Sequence, residues 1–190
     1  MTRNSPSPHD EHRHVADGSP RWSERIALSA TSDDERTGVS IDWIVADAQG
    51  RGAIDVRLTR AGFPLVVVVD DDLPAASKGR FELRAPALWV DLVVETPLAH
   101  VTLGLEAFGV AVGEGADVGP DVRGDRTPLG LDLEWETSAP PGTIVGGYAI
   151  PCRVHGEVLV ADGAVEVTGK GARSHMWGSA AGPEPGTATP

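Results

Sequence analysis

Leu131-Asp132-Leu133-Glu134-Trp135-Glu136 alternates apolar and acidic side chains without a break. A strand has a side-chain period of two, so Leu131, Leu133 and Trp135 leave one face while Asp132, Glu134 and Glu136 leave the other. That is the pattern of a half-buried strand. Downstream, Val158, Val160, Val165 and Val167 flank Asp162-Gly163. An Asp-Gly pair between alternating β-formers predicts a two-residue hairpin, because both turn positions need positive φ.

Working outward, the same signal repeats. In Ala53 to Thr59, residues Ile54, Val56 and Leu58 share one face and Asp55, Arg57 and Thr59 the other. Gly38 to Ala46 is apolar and β-branched, and Gln49-Gly50-Arg51-Gly52 breaks it. Leu65 to Val69 is a continuous apolar run before Asp70-Asp71-Asp72, which predicts a strand buried on both faces and stopped by charge. Phe81 to Ala85, Leu88 to Thr96 and Ala99 to Glu106 continue the series, with Pro86 and Pro97 between them. No amphipathic helix of usable length is present. The 23 glycines and 15 prolines punctuate the chain at short intervals, which predicts an antiparallel sandwich or barrel instead of βαβ units.

Composition narrows the function classes. The formal net charge of −12 repels phosphate backbones and anionic membrane surfaces, so neither nucleic acid nor membrane is an expected partner. The single cysteine, Cys152, cannot form an internal disulfide. The opening Met1-Thr2-Arg3-Asn4-Ser5-Pro6-Ser7-Pro8 has no apolar core, and the apolar run around Phe63 to Val69 is far short of a membrane span. The expectation is a soluble cytoplasmic protein. Residues 1–20 and 179–190 lack periodicity and are expected as disordered tails, which leaves a folded body of 21–178.

Chemistry-bearing residues are few. The stretch His9-Asp10-Glu11-His12-Arg13-His14 offers metal ligands, but ligands without an ordered shell make no site, so no metal is expected there. No phosphate loop or nucleophile elbow is present, no cofactor is expected, and Cys152 reads as a small buried hydrophobe. In Leu88 to Glu95, the side chains of Trp89, Asp91, Val93 and Glu95 share a face. That face is either solvent-exposed or, in a barrel, the wall of a cavity where burial would raise the pKa of Asp91 and suit it to acid catalysis. The most specific stretch is Gly169 to Gly178. His175 and Trp177 are two apart and leave one face of a strand. A histidine moves protons at physiological pH, and a tryptophan beside it gives an apolar wall and a π-face for positive charge. Together they suit protonation of an unsaturated hydrocarbon. The plainer reading is a core Trp beside a hydrogen-bonded His.

The segment from Gly147-Tyr148-Ala149-Ile150-Pro151-Cys152 through His155, the Asp162-Gly163 turn and the ending His175-Met176-Trp177-Gly178 resembles the carotenoid 1,2-hydratase (hydroxyneurosporene synthase) superfamily. The resemblance is carried mainly from about residue 129 onward. It implies a lipocalin-like β-barrel or half-barrel. It also implies binding of an isoprenoid, polyene or lipid-like molecule, with hydratase or cyclase chemistry by acid catalysis. His175 would be the proton carrier and Trp177 the cation shelter, with Asp91 as a second catalytic contributor. Trp89, Trp135, His155 and Tyr148 would contact ligand. The family's motif has Asp where this chain has Ser174, which removes a carboxylate that would orient the histidine. The family also has two barrel halves and this chain spans one. The alternatives are therefore a non-catalytic binding or structural β domain, or half of a two-domain protein, with open sheet edges that favour self-association or docking of a second half.

Overall fold

The structure is a computed structural model and describes residues 5–113, 115 and 118–179. It is all-β and antiparallel. Among the described residues eleven strands run in chain order: β1 (Ser23–Ser32), β2 (Thr37–Asp47), β3 (Arg51–Arg60), β4 (Leu65–Pro74), β5 (Phe81–Ala85), β6 (Leu88–Thr96), β7 (His100–Val112), β8 (Asp125–Thr137), β9 (Gly142–Ile144), β10 (Gly147–Val160) and β11 (Gly163–Gly178). One turn of 3-10 helix, Pro8–Glu11, precedes them.

The sheet order is β4-β3-β2-β1-β11-β10-β8-β7-β6-β5, with β9 on β10 and a further pairing of β4 with β7. That pairing closes eight strands into a ring, the lipocalin-like barrel. Closure is uneven. It rests on the three pairs Leu65↔Val112, Val66↔Ala111 and Val67↔Val110, while the rest of that edge of β7 carries β6. The β5–β6 hairpin therefore shares with β4 the work of covering one side.

Alternation decides what fills the ring. Ile26 and Leu28 of β1, Ile41 and Trp43 of β2, Leu131, Leu133 and Trp135 of β8, and Tyr148 and Ile150 of β10 all turn inward and are buried. The interior is packed with side chains. A cavity inside the ring, bounded by Ile26, Phe81, Val101, Tyr148 and His175 among others, measures about 20 Å³. That is room for about one water molecule.

Several expectations shift. Phe81–Ala85 and Leu88–Thr96 keep their expected bounds. The Asp70-Asp71-Asp72 run does not stop β4: Asp70 pairs with Ile54, the exposed Asp71 and Asp72 fall in a register shift where their carboxylates stay hydrated, and pairing resumes at Leu73 with Gly52. The hairpin forms, but Val160 pairs with Gly163, so Ala161 and Asp162 make the turn and Gly163 takes the positive φ of 128°. Asp162 keeps an ordinary φ and is held by Arg60 at 2.9 Å. Strand β1 carries no expectation from the sequence reading.

The N-terminal segment is the largest difference. The expectation of a disordered tail does not hold for the stretch around Glu11 to His14, which lies across one end of the barrel with Glu11 only 2% exposed. Buried charge pairing orders it, and charge pairing has no periodicity to read. Residues 1–4, and the C-terminal tail from 180 on, lie outside the described residues.

Candidate functional site

β11 crosses the covered end of the barrel and sends Arg173, His175 and Trp177 inward. β1 runs beside it in a register that sets Ile26 against His175 and Glu24 against Trp177. β10 sets Tyr148 opposite His175. The segment 5–20 supplies Glu11, Arg13 and His14 from above. Phe81, at the start of β5, closes the wall with its ring 5.4 Å from that of His175.

Glu24 is the hub. It has no exposed surface and takes four polar contacts. Arg13 Nε donates to Oε2 at 2.6 Å, the His14 backbone N–H donates to Oε1 at 2.8 Å, and His14 Nδ1 and His175 Nε2 stand 3.1 and 3.0 Å from Oε1. Burial alone would push its carboxyl up. The hydrogen bonds from His14, His175 and Arg13 outweigh burial and hold it at about 2. Glu24 is therefore ionised at neutral pH and accepts from both rings, so His14 Nδ1 and His175 Nε2 each carry a proton. His14 in turn lies flat on Trp177, with ring centroids 3.8 Å apart and planes at 9°.

A second buried pair stands beside the first. Arg173 Nη1 donates to both oxygens of Glu11, at 2.8 and 2.9 Å, and the Tyr148 hydroxyl donates to Glu11 Oε1. Burial and the Glu11 carboxylate push the Tyr148 phenol well above its usual range, so it stays a donor. Burial likewise raises the Cys152 thiol beside Arg173, which makes it the inert apolar filler expected of it.

The expected site residues divide into three groups. His175, Trp177 and Tyr148 meet at the covered end. Trp135 is fully buried deeper in the barrel, where its indole donates to Ser29 O at 2.8 Å. Asp91, Trp89 and His155 stand on the outer face, away from that centre. The alternation of β6 leaves Leu88, Val90 and Leu92 inside, so the solvent-facing reading of Trp89 and Asp91 is the one the fold realises. Burial and the nearby Glu82 still raise Asp91. Trp89 lies over Gly104 in an open outer groove of about 860 Å³ shared with Phe108 and Leu159. His155 faces Glu136 at 3.6 Å.

Ser174 falls between two inward residues and so belongs to the outer face of β11. A carboxylate there would point away from His175. The orienting carboxylate comes instead from Glu24, across the β1–β11 ladder. Glu24 and Arg173 were given no role by the sequence reading, and Glu11, Arg13 and His14 entered it only as part of a stretch offering metal ligands without an ordered shell. One signal was available: Glu24 shares its face with Ile26, Leu28 and Ala30, and Arg173 shares its face with His175, so each is a charge on an otherwise inward set.

His14, Glu24 and His175 present ligand atoms within 4.8 Å of one another, a set that could hold a divalent cation. Arg13 already balances Glu24 on its other oxygen, so an incoming dication would meet a positive neighbour.

A family model described as a domain of unknown function, DUF7064, matches residues 7–180. The chain belongs to this family. The matched stretch of the DUF7064 domain includes Glu11, Arg13 and His14 as well as the barrel. No curated protein sequence matches the chain. The crystal structure of CghA with Sch210972 is similar over 84% of this chain and 46% of that one, at 10% identity and a TM-score of 0.43. The chain thus spans less than half of that protein. Among the described residues no helix is long and apolar enough to cross a membrane.

Proposed function

We propose that this DUF7064 domain binds an unsaturated apolar molecule, of the isoprenoid or polyene kind, at the covered end of its barrel and acts on it by proton transfer. The observation that carries this reading is the fully buried His175–Glu24 pair, inward-facing and walled by Trp177, Tyr148 and Phe81. An ionised carboxylate on Nε2 fixes the tautomer and orientation of the ring. The ring's other nitrogen, Nδ1, is left for a substrate proton. In the acid step the ring starts as the imidazolium, with Nε2–H held by Glu24: the Nδ1 proton moves to one carbon of a double bond, leaving a neutral imidazole and a carbocation, which the flanking aromatic faces stabilise. Water adds to that cation and returns a proton to the imidazole, so the cycle closes as a hydration. Loss of a neighbouring proton to the imidazole instead gives a double-bond isomer, and attack on the cation by a second double bond of the same molecule, followed by that proton loss, gives a ring. Carotenoid-type hydration is one such reaction.

The same contacts support a second reading, a non-catalytic binding domain, because Glu24 also anchors Arg13 and His14. Incubating a panel of polyenes and isoprenoids with the protein in D₂O separates the two. Acid catalysis is expected to add deuterium, with or without the elements of water, as read by mass spectrometry. His175→Ala should lower that rate about 10²-fold or more. If no substrate gains deuterium, and His175→Ala lowers only the melting temperature while ligand quenching of Trp fluorescence is unchanged, the binding reading replaces the enzymatic one.

A further inference from the structure

The Glu11 carboxylate is held as a ligand is held. Its two oxygens meet a guanidinium and a phenol, both projecting from barrel strands, at a site where Arg173 and Tyr148 are 6% and 2% exposed. The segment that delivers it is slight. His9 and Asp10 beside it are exposed or partly so, and the polar contacts that hold it to the barrel come from Glu11, from Arg13 to Glu24 and to the carbonyls of 76–80, from the His14 ring and amide, and from Ser19 to Ser179 just past β11. Arg173 spends only Nη1 on Glu11. Its Nε and Nη2 are buried with no acceptor in good hydrogen-bond geometry, and the groups the guanidinium also reaches, the Tyr148 hydroxyl and the Cys152 thiol, are weak acceptors beside a carboxylate. Directly beside this head lies the small cavity whose wall is Ile26, Leu28, Leu92, Val94 and Val101. A cationic clamp with unused donors at the edge of an apolar wall is the recognition chemistry of an acid with an apolar chain.

We propose that Arg173 and Tyr148 form a carboxylate-binding site for an amphipathic carboxylic acid, and that Glu11 occupies it as a tethered substitute. The incoming carboxylate replaces Glu11 on Arg173 and engages the spare Nε–H or Nη2–H. The displaced segment leaves the barrel end, and its departure makes room along the apolar wall that the resting cavity lacks. The proposal rests on the reading that the covered end takes an apolar molecule, but not on any chemistry at His175.

Arg13 reports on the segment, because trypsin cleaves after arginine only in accessible, extended chain. Octanoate, added to the full-length protein below its micellar concentration, should speed cleavage after Arg13 about tenfold or more, and octanol at equal concentration should not. Glu11→Gln, which keeps a carbonyl for Arg173, should bind octanoate about tenfold more tightly than the wild type by Trp fluorescence. In Glu11→Ala, octanoate should raise the melting temperature more than it does in the wild type. Cleavage after Arg13 that is indifferent to octanoate, or equally stimulated by octanol, overturns the proposal even if the alanine variant fails to fold. A domain that passes this test yet adds no deuterium to any polyene keeps the carboxylate site and loses the proposed acid–base function, so the two fail separately.

Discussion

At the scale of single residues, Glu24 governs the covered end. Its carboxyl is lowered from an ordinary 4.5 to about 2 in the folded state. A group depressed on folding contributes stability that is complete above its unfolded pKa and is lost as pH falls through the folded one. The loss therefore falls between about pH 4.5 and pH 2. A shift of this size corresponds to about 3 kcal/mol at neutral pH. Denaturant midpoints measured from pH 7 down to pH 2 should fall across that window. Glu24→Gln should be less stable at pH 7 and should show a shallower fall. A variant with the wild-type acid profile would show that some other carboxylate dominates. His175 was legible as a special residue from its spacing to Trp177, but its partner was not, because β1 and β11 lie some 150 residues apart in the chain and only their pairing brings Glu24 and His175 within 3.0 Å.

At the scale of elements, β11 does most of the positioning. Its C-terminal half carries Arg173, His175 and Trp177, and its middle carries Gly169 and Gly171 at inward positions. A Cβ at Gly171 would lie 1.9 Å from Ser29 O, the same carbonyl that accepts from the Trp135 indole. Glycine is needed there because β1 approaches too closely for any side chain. Gly171→Ala should cost about 2 kcal/mol or more through backbone displacement and weaken the Trp135 bond. Chemical denaturation reads the loss. Near-UV circular dichroism should change in the tryptophan region, and an unchanged spectrum would contradict the link between the two. Most strands were legible because each shows the period of two over its own residues. The turn at 160–163 was legible as a hairpin but misplaced by one residue, since the glycine takes its positive φ as the first residue of β11 and not as the second residue of the turn.

At the scale of the molecule, the N-terminal segment and the barrel exchange charges. The segment supplies Glu11 to Arg173 and Arg13 to Glu24, so each side offers one acid and one base. Arg13 also donates through Nη1 to the carbonyls of Ser77 and Arg80, at 3.0 and 3.1 Å, and so ties the β4–β5 connection to the same end. Removing one member of a buried pair leaves the other uncompensated, at about 3 kcal/mol or more. Arg13→Ala should therefore lose about that much stability. Hydrogen exchange should quicken in residues 5–20 and also in the connection 75–80, which the substitution leaves chemically intact. Faster exchange confined to the segment would show that the two are not coupled.

What the amino-acid sequence determined by itself is local: strand after strand with alternating faces, an all-β antiparallel body, and a His–Trp pair on one face of the last strand. These follow from a side-chain period of two, which neighbouring residues display whatever they pair with. Tertiary structure alone decided the rest. It closed eight strands into a ring through three residue pairs between β4 and β7, sent Trp89, Asp91 and His155 outward, and set Glu24 of β1 against His175. It also ordered the segment around Glu11 to His14. The reason is physical. Ring closure and buried ion pairs join residues far apart in the chain, and the energy of burying a charge depends on which partner meets it, a fact that no single stretch of sequence contains.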